Sequence, residues 1–460
     1  MSRSAQRQTP DLAEFRALGW LMLLAPMFFG GNRPFFWHAI ALMTAMLCLA
    51  MFRKISRREV RHIDYAWQLQ PALFGGIIVT GWIIATIIPG MPGGNALWAK
   101  ASASLGTPLY GTISLYPAGT LEALVRLASY LGVYWLALHF SRQADRALVL
   151  LRWIGLSGAA LSLYGIVNFS LGNRDLLFQA RYGGFGDVTG TFVNRNHFAT
   201  YAGLCALANA ALAFIGFRKR WGDVAYLPSS FVRALSAFAG NPAAYFLASS
   251  ICVMGLFQSH SRMGMVSFVI ALLVAVSLMA AVGYFRADRR LAAVVIGLLF
   301  FYLYVSGLTT LDRFSGSEDT ERWPLFQICL DAIARLPWTG HGYGTFAHTF
   351  EAYRTGDFAI GTNVTEAHNV YLELAFELGI PATILAVGAV AWLVCFCVFG
   401  AFRRKRERIF PVLAVSASVL VGLHSLADFS VQMPGIAVIY AALLGVGCAQ
   451  AWSHRSGTAE

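Results

Sequence analysis

The chain has 460 residues, of which 57% are hydrophobic and only 13% charged, and it carries a formal net charge of +12. That charged share is about half of what a soluble globular protein uses, too little to cover a soluble surface of this size, so the chain reads as integral to a membrane. Nor does the positive excess point to nucleic acid: the basic residues sit in short clusters between apolar spans, the pattern that membrane orientation produces.

Runs of roughly 17–25 apolar residues predict about twelve membrane-spanning helices, centred near residues 23, 43, 80, 130, 158, 207, 251, 274, 301, 389, 417 and 443. The first run follows Arg3, Arg7 and Arg16 without a small-residue cleavage site and reads as an uncleaved anchor. Gly31-Asn32-Arg33-Pro34 joins it to the second as a tight helical hairpin. Arg53-Lys54 with Arg57, Arg58 and Arg61, then Arg218-Lys219-Arg220, Arg286 with Arg289-Arg290, and Arg403-Arg404-Lys405-Arg406 all follow even-numbered spans. The positive-inside rule then predicts both termini in the cytoplasm and an all-α chain forming one integral membrane domain over residues 1–460. The cysteines lie mostly within spans, and the spacing of Cys395 and Cys397 suits neither a CxxC redox site nor a zinc pair.

The outer side carries the polar segments, near residues 91–118 and 171–196 and, much the longest, 311–369. Within the last, Ser317-Glu318-Asp319-Thr320-Glu321 has the composition of a divalent-metal site, but it reads better as a helix start. Asp319 or Thr320 would be the cap, Glu321 would favour the positive end, and Pro324 would be tolerated in the first turn. The apolar stripe that follows, Leu325, Ile328 or Cys329, Ala332 and Leu336, predicts a helix lying on the membrane surface. Gly340-His341-Gly342-Tyr343-Gly344 would let backbone amides approach a ligand closely. No strand precedes it as a nucleotide fingerprint requires, and none of the four lysines follows a glycine as in a phosphate-binding loop.

By the same parity, three spans begin on the outer side close to polar, basic or imidazole-bearing residues: Asn194-Arg195-Asn196-His197, Ser259-His260-Ser261-Arg262, and Thr365 with His368-Asn369. Helix N-termini present unpaired amides and a positive dipole end, and so favour anions. An arginine there adds a fork that matches phosphate oxygens. A lone arginine in such a place is more often snorkelling to the interface, but three such ends on one face favour an anion site. Thr365 as N-cap would put His368 in the first helical turn, where the dipole favours a neutral imidazole fit to act as a base. An interfacial histidine bonded to its own loop is an equal reading from spacing alone. Glu373 and Glu377 point away from His368 around that helix and are expected to pair with another helix.

Gly190-Thr191-Phe192-Val193-Asn194-Arg195-Asn196-His197-Phe198-Ala199, Ser261-Arg262 at a span start, Glu321-Arg322-Trp323, Gly340-His341-Gly342-Tyr343-Gly344-Thr345-Phe346, and His368-Asn369 followed by Gly379 resemble, in order, the successive blocks of the bacterial O-antigen ligase and polymerase superfamily. Leu426-Ala427-Asp428-Phe429-Ser430-Val431-Gln432-Met433-Pro434 is similar to a block of its relatives. The likeness runs from about residue 150 to 445. It departs at Ala382, where the ligase motif tends to carry Gly, Thr or Tyr, which bears on the ligase subtype more than on the family.

The resemblance implies a C-type glycosyltransferase fold acting outside the bacterial inner membrane, with a glycan on undecaprenyl diphosphate as donor and a lipid- or glycan-linked hydroxyl, such as lipid A–core, as acceptor. It maps the essential histidine to His368 and the diphosphate-binding arginines to Arg195, Arg262 and Arg322. Asn194, Asn196, Asn369 and Gly342 fall in supporting places. No cofactor, metal or nucleic acid is expected. A polymerase using the same donor chemistry is the first rival. The second is a transporter of the same lipid, which would need ionisable groups near the bilayer midplane in paired repeats; Arg126 and Arg152 are the clearest charges within spans, and no repeat matches them.

Overall fold

A computed structural model describes residues 11–60, 67–172, 175–180, 185–220, 241–284, 297, 318–354 and 364–452. The described chain is all-α and polytopic apart from one two-stranded hairpin, in which Asp175 pairs with Ala180. Its helices are α1 (Leu12–Leu24), α2 (Pro34–Ser56), α3 (Gln70–Thr86), α4 (Ala96–Leu105), α5 (Pro117–Phe140), α6 (Ala144–Ser170), α7 (Arg195–Arg220), α8 (Pro242–Gln258), α9 (Arg262–Ala281), α10 (Glu318–Arg335), α11 (Phe346–Thr349), α12 (Val370–Leu378), α13 (Ile380–Arg403), α14 (Ile409–His424) and α15 (Pro434–Ala451). Among the described residues, eight helices are long and apolar enough to cross a membrane, and α8 and α14 are shorter apolar helices. A helix stands at eleven of the twelve span positions read from the sequence; the position near residue 301 lies outside the described residues.

The bundle is built around α7 and α15. On α7, Phe198, Ala199, Tyr201, Ala202, Leu204, Cys205, Ala206 and Ala208 are all fully buried. Small residues on this helix let its neighbours come close: a β-carbon on Gly158 of α6 would stand only 2.1 Å from Cys205 Cβ. The outer faces of α2, α3 and α13 instead expose Leu42, Phe52, Phe74, Ile77, Ile384 and Phe399. Such a continuous apolar surface is tolerable only against lipid. Arg126, inside α5, sits over the Trp37 ring with 5.3 Å to the centroid, a cation–π contact that eases the cost of a charge in a span.

The two ends of the bundle differ in chemistry. One holds the basic turns: Arg146 makes a two-pronged bond to Asp11 at 2.6 and 2.7 Å, Lys54 pairs with Glu14 at 2.7 Å, and Arg142 lies 3.9 Å over Trp452. The other gathers the polar segments, stitched by main-chain bonds such as Ser114 N–H to Thr86 O, Leu115 N–H to His341 O and Val188 N–H to Gln258 O, at 2.9, 3.0 and 3.0 Å.

Three local expectations are revised. The helix of the 311–369 segment begins at Glu318, ahead of the expected caps, so Pro324 lies beyond the first turn. Its apolar stripe does not lie on the membrane: Leu325, Cys329 and Ala332 are buried in a cluster with Phe346, Phe350, Ala367 and Phe376. An amphipathic pattern says that one face is covered and leaves open by what. The helix leading from His368 into the membrane is also not continuous. It breaks at Gly379, where φ is +78° and an added β-carbon would stand 2.6 Å from the Trp338 carbonyl. Only glycine both adopts that conformation and admits that approach.

Candidate functional site

The three polar helix starts converge at the second end of the bundle. Asn194 caps α7, its Oδ1 accepting from Asn196 N–H at 2.8 Å. Arg195, the first residue of α7, donates from Nη1 to Asp187 Oδ2 at 3.1 Å, and the other oxygen of Asp187 meets His260 Nδ1 at 2.8 Å. One buried carboxylate thus fixes the start of α7 to the turn before α9. Ser261 caps α9 by accepting from Gly264 N–H, and its hydroxyl donates to Asn196 Oδ1 at 2.8 Å. Arg262 is therefore the first residue of a capped helix and is partly buried. The amide of Asn196 continues the chain of bonds to Asp428 Oδ1 at 3.1 Å.

Asp428 anchors the α14–α15 turn. It is fully buried, accepts from the Ser430 hydroxyl, and faces His197 Nε2 at 3.8 Å. Burial alone would raise its carboxyl, but His197, His424 and the bonds from Ser430 and Asn196 bring it below its ordinary value. The next residue, Phe429, meets both imidazoles edge-on, with centroids 4.7 Å from His197 and 5.2 Å from His368. Contact therefore runs from Arg195 through Asp187 to His260, and from Ser261 through Asn196 and the Asp428–Phe429 turn to His368.

His368 differs from expectation in one respect. The cap of α12 is Asn369, whose Oδ1 accepts from Tyr371 and Leu372 N–H at 3.0 and 3.1 Å, and not Thr365. His368 lies just before the cap with φ at +53°, a left-handed conformation that costs a residue with a side chain about 1–3 kcal/mol. The surroundings hold it there: Asn369 Nδ2 donates to Leu426 O, and Val370 N–H to Ser425 O, both at 3.0 Å.

The carboxylates of α12 reach other elements, as expected, through amide donors. Glu373 accepts from Ala367 N–H and from Gln432 Nε2, both at 2.8 Å, and Glu377 accepts from Phe346 N–H at 3.0 Å at the start of α11. They are 5% and 3% exposed, and burial pushes both carboxyls above their ordinary value. Gly342 and His341 belong to this packing. Gly342 N–H donates to Glu377 O at 2.9 Å, with φ at +108° and no room for a β-carbon beside Ser114. His341 is fully buried, stacked 4.1 Å from Phe376 and bonded to Phe376 O and to the Tyr353 hydroxyl. The glycine-rich segment therefore docks onto the end of α12. Arg322 lies on α10, with its side chain outside the described residues. Among the described residues no group of three or more His, Cys, Asp or Glu gathers as metal ligands would.

Sequence reasoning left out Asp187 altogether, and it quoted Asp428 and Gln432 in a motif without giving them roles. A rare acid in an apolar chain beside a predicted arginine-bearing helix start was the available signal for Asp187.

The fold and this cluster define a polytopic helical membrane protein with an arginine- and imidazole-bearing site at one end of its bundle. Residues 247–387 match the O-antigen ligase family, a match that supports the O-antigen ligase superfamily and a ligase- or polymerase-type role. The matched segment holds Arg262, Arg322, His368 and both α12 carboxylates, while Arg195, Asp187 and Asp428 lie outside it. No curated protein matches the sequence.

Proposed function

We propose that the protein is an O-antigen ligase-like glycosyltransferase that moves a glycan from undecaprenyl diphosphate to an acceptor hydroxyl, such as one on lipid A–core. The observation that supports this reading is the contact path joining the starts of α7 and α9 to His368, because an anion site beside a base would need these arginine-bearing starts and that imidazole at one end of the bundle. The acceptor oxygen would attack the anomeric carbon as its proton passes to His368. The bond from that carbon to the diphosphate breaks, and the leaving diphosphate takes the electron pair. A sugar hydroxyl is too weak an acid to ionise beforehand, so the base acts as the bond forms. Arg195 and Arg262, with Arg322, would stabilise the negative charge growing on the departing oxygen. Direct displacement inverts the anomeric configuration.

A polymerase would share every one of these steps and differ in its acceptor. Deleting the gene tests the choice: a ligase mutant accumulates polymer on its lipid carrier, and accumulation of single repeat units instead would establish the polymerase.

In this reading the site end faces the periplasm of a bacterial inner membrane, and the basic end and both termini face the cytoplasm. In a variant without native cysteines, Tyr110→Cys, at a position 81% exposed on the site end, is expected to react with an impermeant maleimide in intact spheroplasts, and Arg406→Cys is not. Labelling with the opposite sidedness would move the site to the cytoplasm and end the proposal.

Transfer is also expected to persist in EDTA. The arginines would supply the positive charge, and two acids of the cluster are already engaged, Asp187 by Arg195 and His260 and Asp428 by Asn196 and Ser430. Activity lost to EDTA and restored by magnesium or manganese would contradict this.

A further inference from the structure

Glu373 is spent in a way that helix capping does not explain. A cap needs one bond from the side chain back to the loop, and Glu373 Oε2 makes it, accepting from the N–H of Ala367, the residue directly before His368. The other oxygen accepts from Gln432 Nε2 at 2.8 Å, on the separate turn that follows Phe429. Phe429, directly before that turn, carries the ring that packs against the imidazole of His368. A single carboxylate, 5% exposed, therefore clamps the peptide entering His368 to the segment that confines its ring. The bonds of Asn369 and Val370 to Leu426 and Ser425 close the other side. His368 needs such a frame, because its left-handed backbone is not one that a side-chain-bearing residue holds unaided.

We propose that Glu373 is a positioning residue for glycan transfer, holding His368 in its left-handed turn by bridging Ala367 and Gln432. This rests on the reading of His368 as the base. Two acceptor oxygens for two N–H donors is a requirement that only a carboxylate meets. A glutamine of the same size gives its one acceptor to Ala367, and the Gln432 amide must then turn over to accept from the new NH2, a weaker bond than one to a carboxylate.

The test uses the full chain in nanodiscs with an undecaprenyl-diphosphate-linked glycan, reading donor affinity and single-turnover rate at saturating donor. Glu373→Gln is expected to cut the rate about ten- to a hundredfold, the scale of a small misplacement of a reacting group, with donor affinity within about twofold of the parent. Combining Glu373→Gln with Gln432→Glu re-creates the pair with its polarity reversed: the new amide oxygen accepts from Ala367, and its NH2 donates to the new carboxylate. This double variant is expected to recover most of the rate.

An unchanged rate in Glu373→Gln would overturn the inference, as would a loss shared equally by affinity and rate, or a folded double variant no faster than the single one. If Glu373→Gln does not fold, Gln432→Ala removes only the second bond and leaves the cap. A rate loss at unchanged affinity then supports the clamp, and a parental rate ends it. His368→Ala run alongside separates the two readings. A parental rate there removes the base itself, whereas a slow His368→Ala beside parental Glu373→Gln and Gln432→Ala removes only the clamp.

Discussion

Replacing His368 by alanine is expected to cut turnover by about a hundred- to ten-thousandfold, the usual cost of losing a general base, while leaving donor binding nearly intact. The separation follows from timing. A base that takes the acceptor proton only as the new bond forms contributes little to the enzyme holding its donor, so its loss appears in the rate and not in the affinity. The position favours a clean result. His368 precedes the α12 cap, and the cap bonds belong to Asn369, so truncating the imidazole leaves the helix start satisfied. Donor affinity and single-turnover rate in nanodiscs decide the matter. Lost donor binding in a folded His368→Ala protein would make His368 a diphosphate ligand and place the base elsewhere.

Arg262→Lys is expected to fail differently, weakening donor binding and slowing turnover together. The diphosphate is charged before reaction as well as during it, so a group that holds it acts in both states. A lysine keeps the charge and loses the planar fork that meets two phosphate oxygens at once. Losing one charge-assisted bond on that scale corresponds to about a ten- to hundredfold loss of affinity. Arg262 is the first residue of a helix capped by Ser261, so the substitution leaves the cap in place. The same two measurements read the result. Unchanged affinity in Arg262→Lys would show that charge alone suffices there, and would shift the bidentate role to Arg195 or Arg322.

Much of this arrangement could be read from the chain. Apolar runs and arginine clusters located the spans, because both patterns are written locally and need no knowledge of contacts. The polar starts of α7 and α9 were legible for the same reason. Contacts between distant residues were not. Asp187 meets His260 across 73 residues, and Asn196 meets Asp428 across 232, separations over which a sequence pattern carries no geometry. The cap before α12 was misplaced because Thr365 and Asn369 are both good caps, and the choice between them depends on the backbone that Leu426 and Ser425 hold in place. The break at Gly379 was hidden inside one apolar stretch, since hydropathy does not register a change of sign in φ. Glu373 and Glu377 were expected to pair with another helix, and the sequence did not say with which groups. Here amide donors satisfy them.

The enclosure of α7 has a consequence for how such a site could change over evolutionary time. Arg195 stands at the start of a helix whose next turns, from Phe198 to Ala208, are buried among aromatic and small side chains. His368 stands on a short loop whose place depends on a handful of individual hydrogen bonds. A foundation of the first kind shifts only if the whole bundle is rebuilt, while one of the second kind can be retuned by single substitutions. Under the proposed function, the half that would hold phosphate is thereby insulated from drift and the half that would meet the incoming hydroxyl is left open to adjustment, so new acceptors could be explored without renegotiating the chemistry of the leaving group.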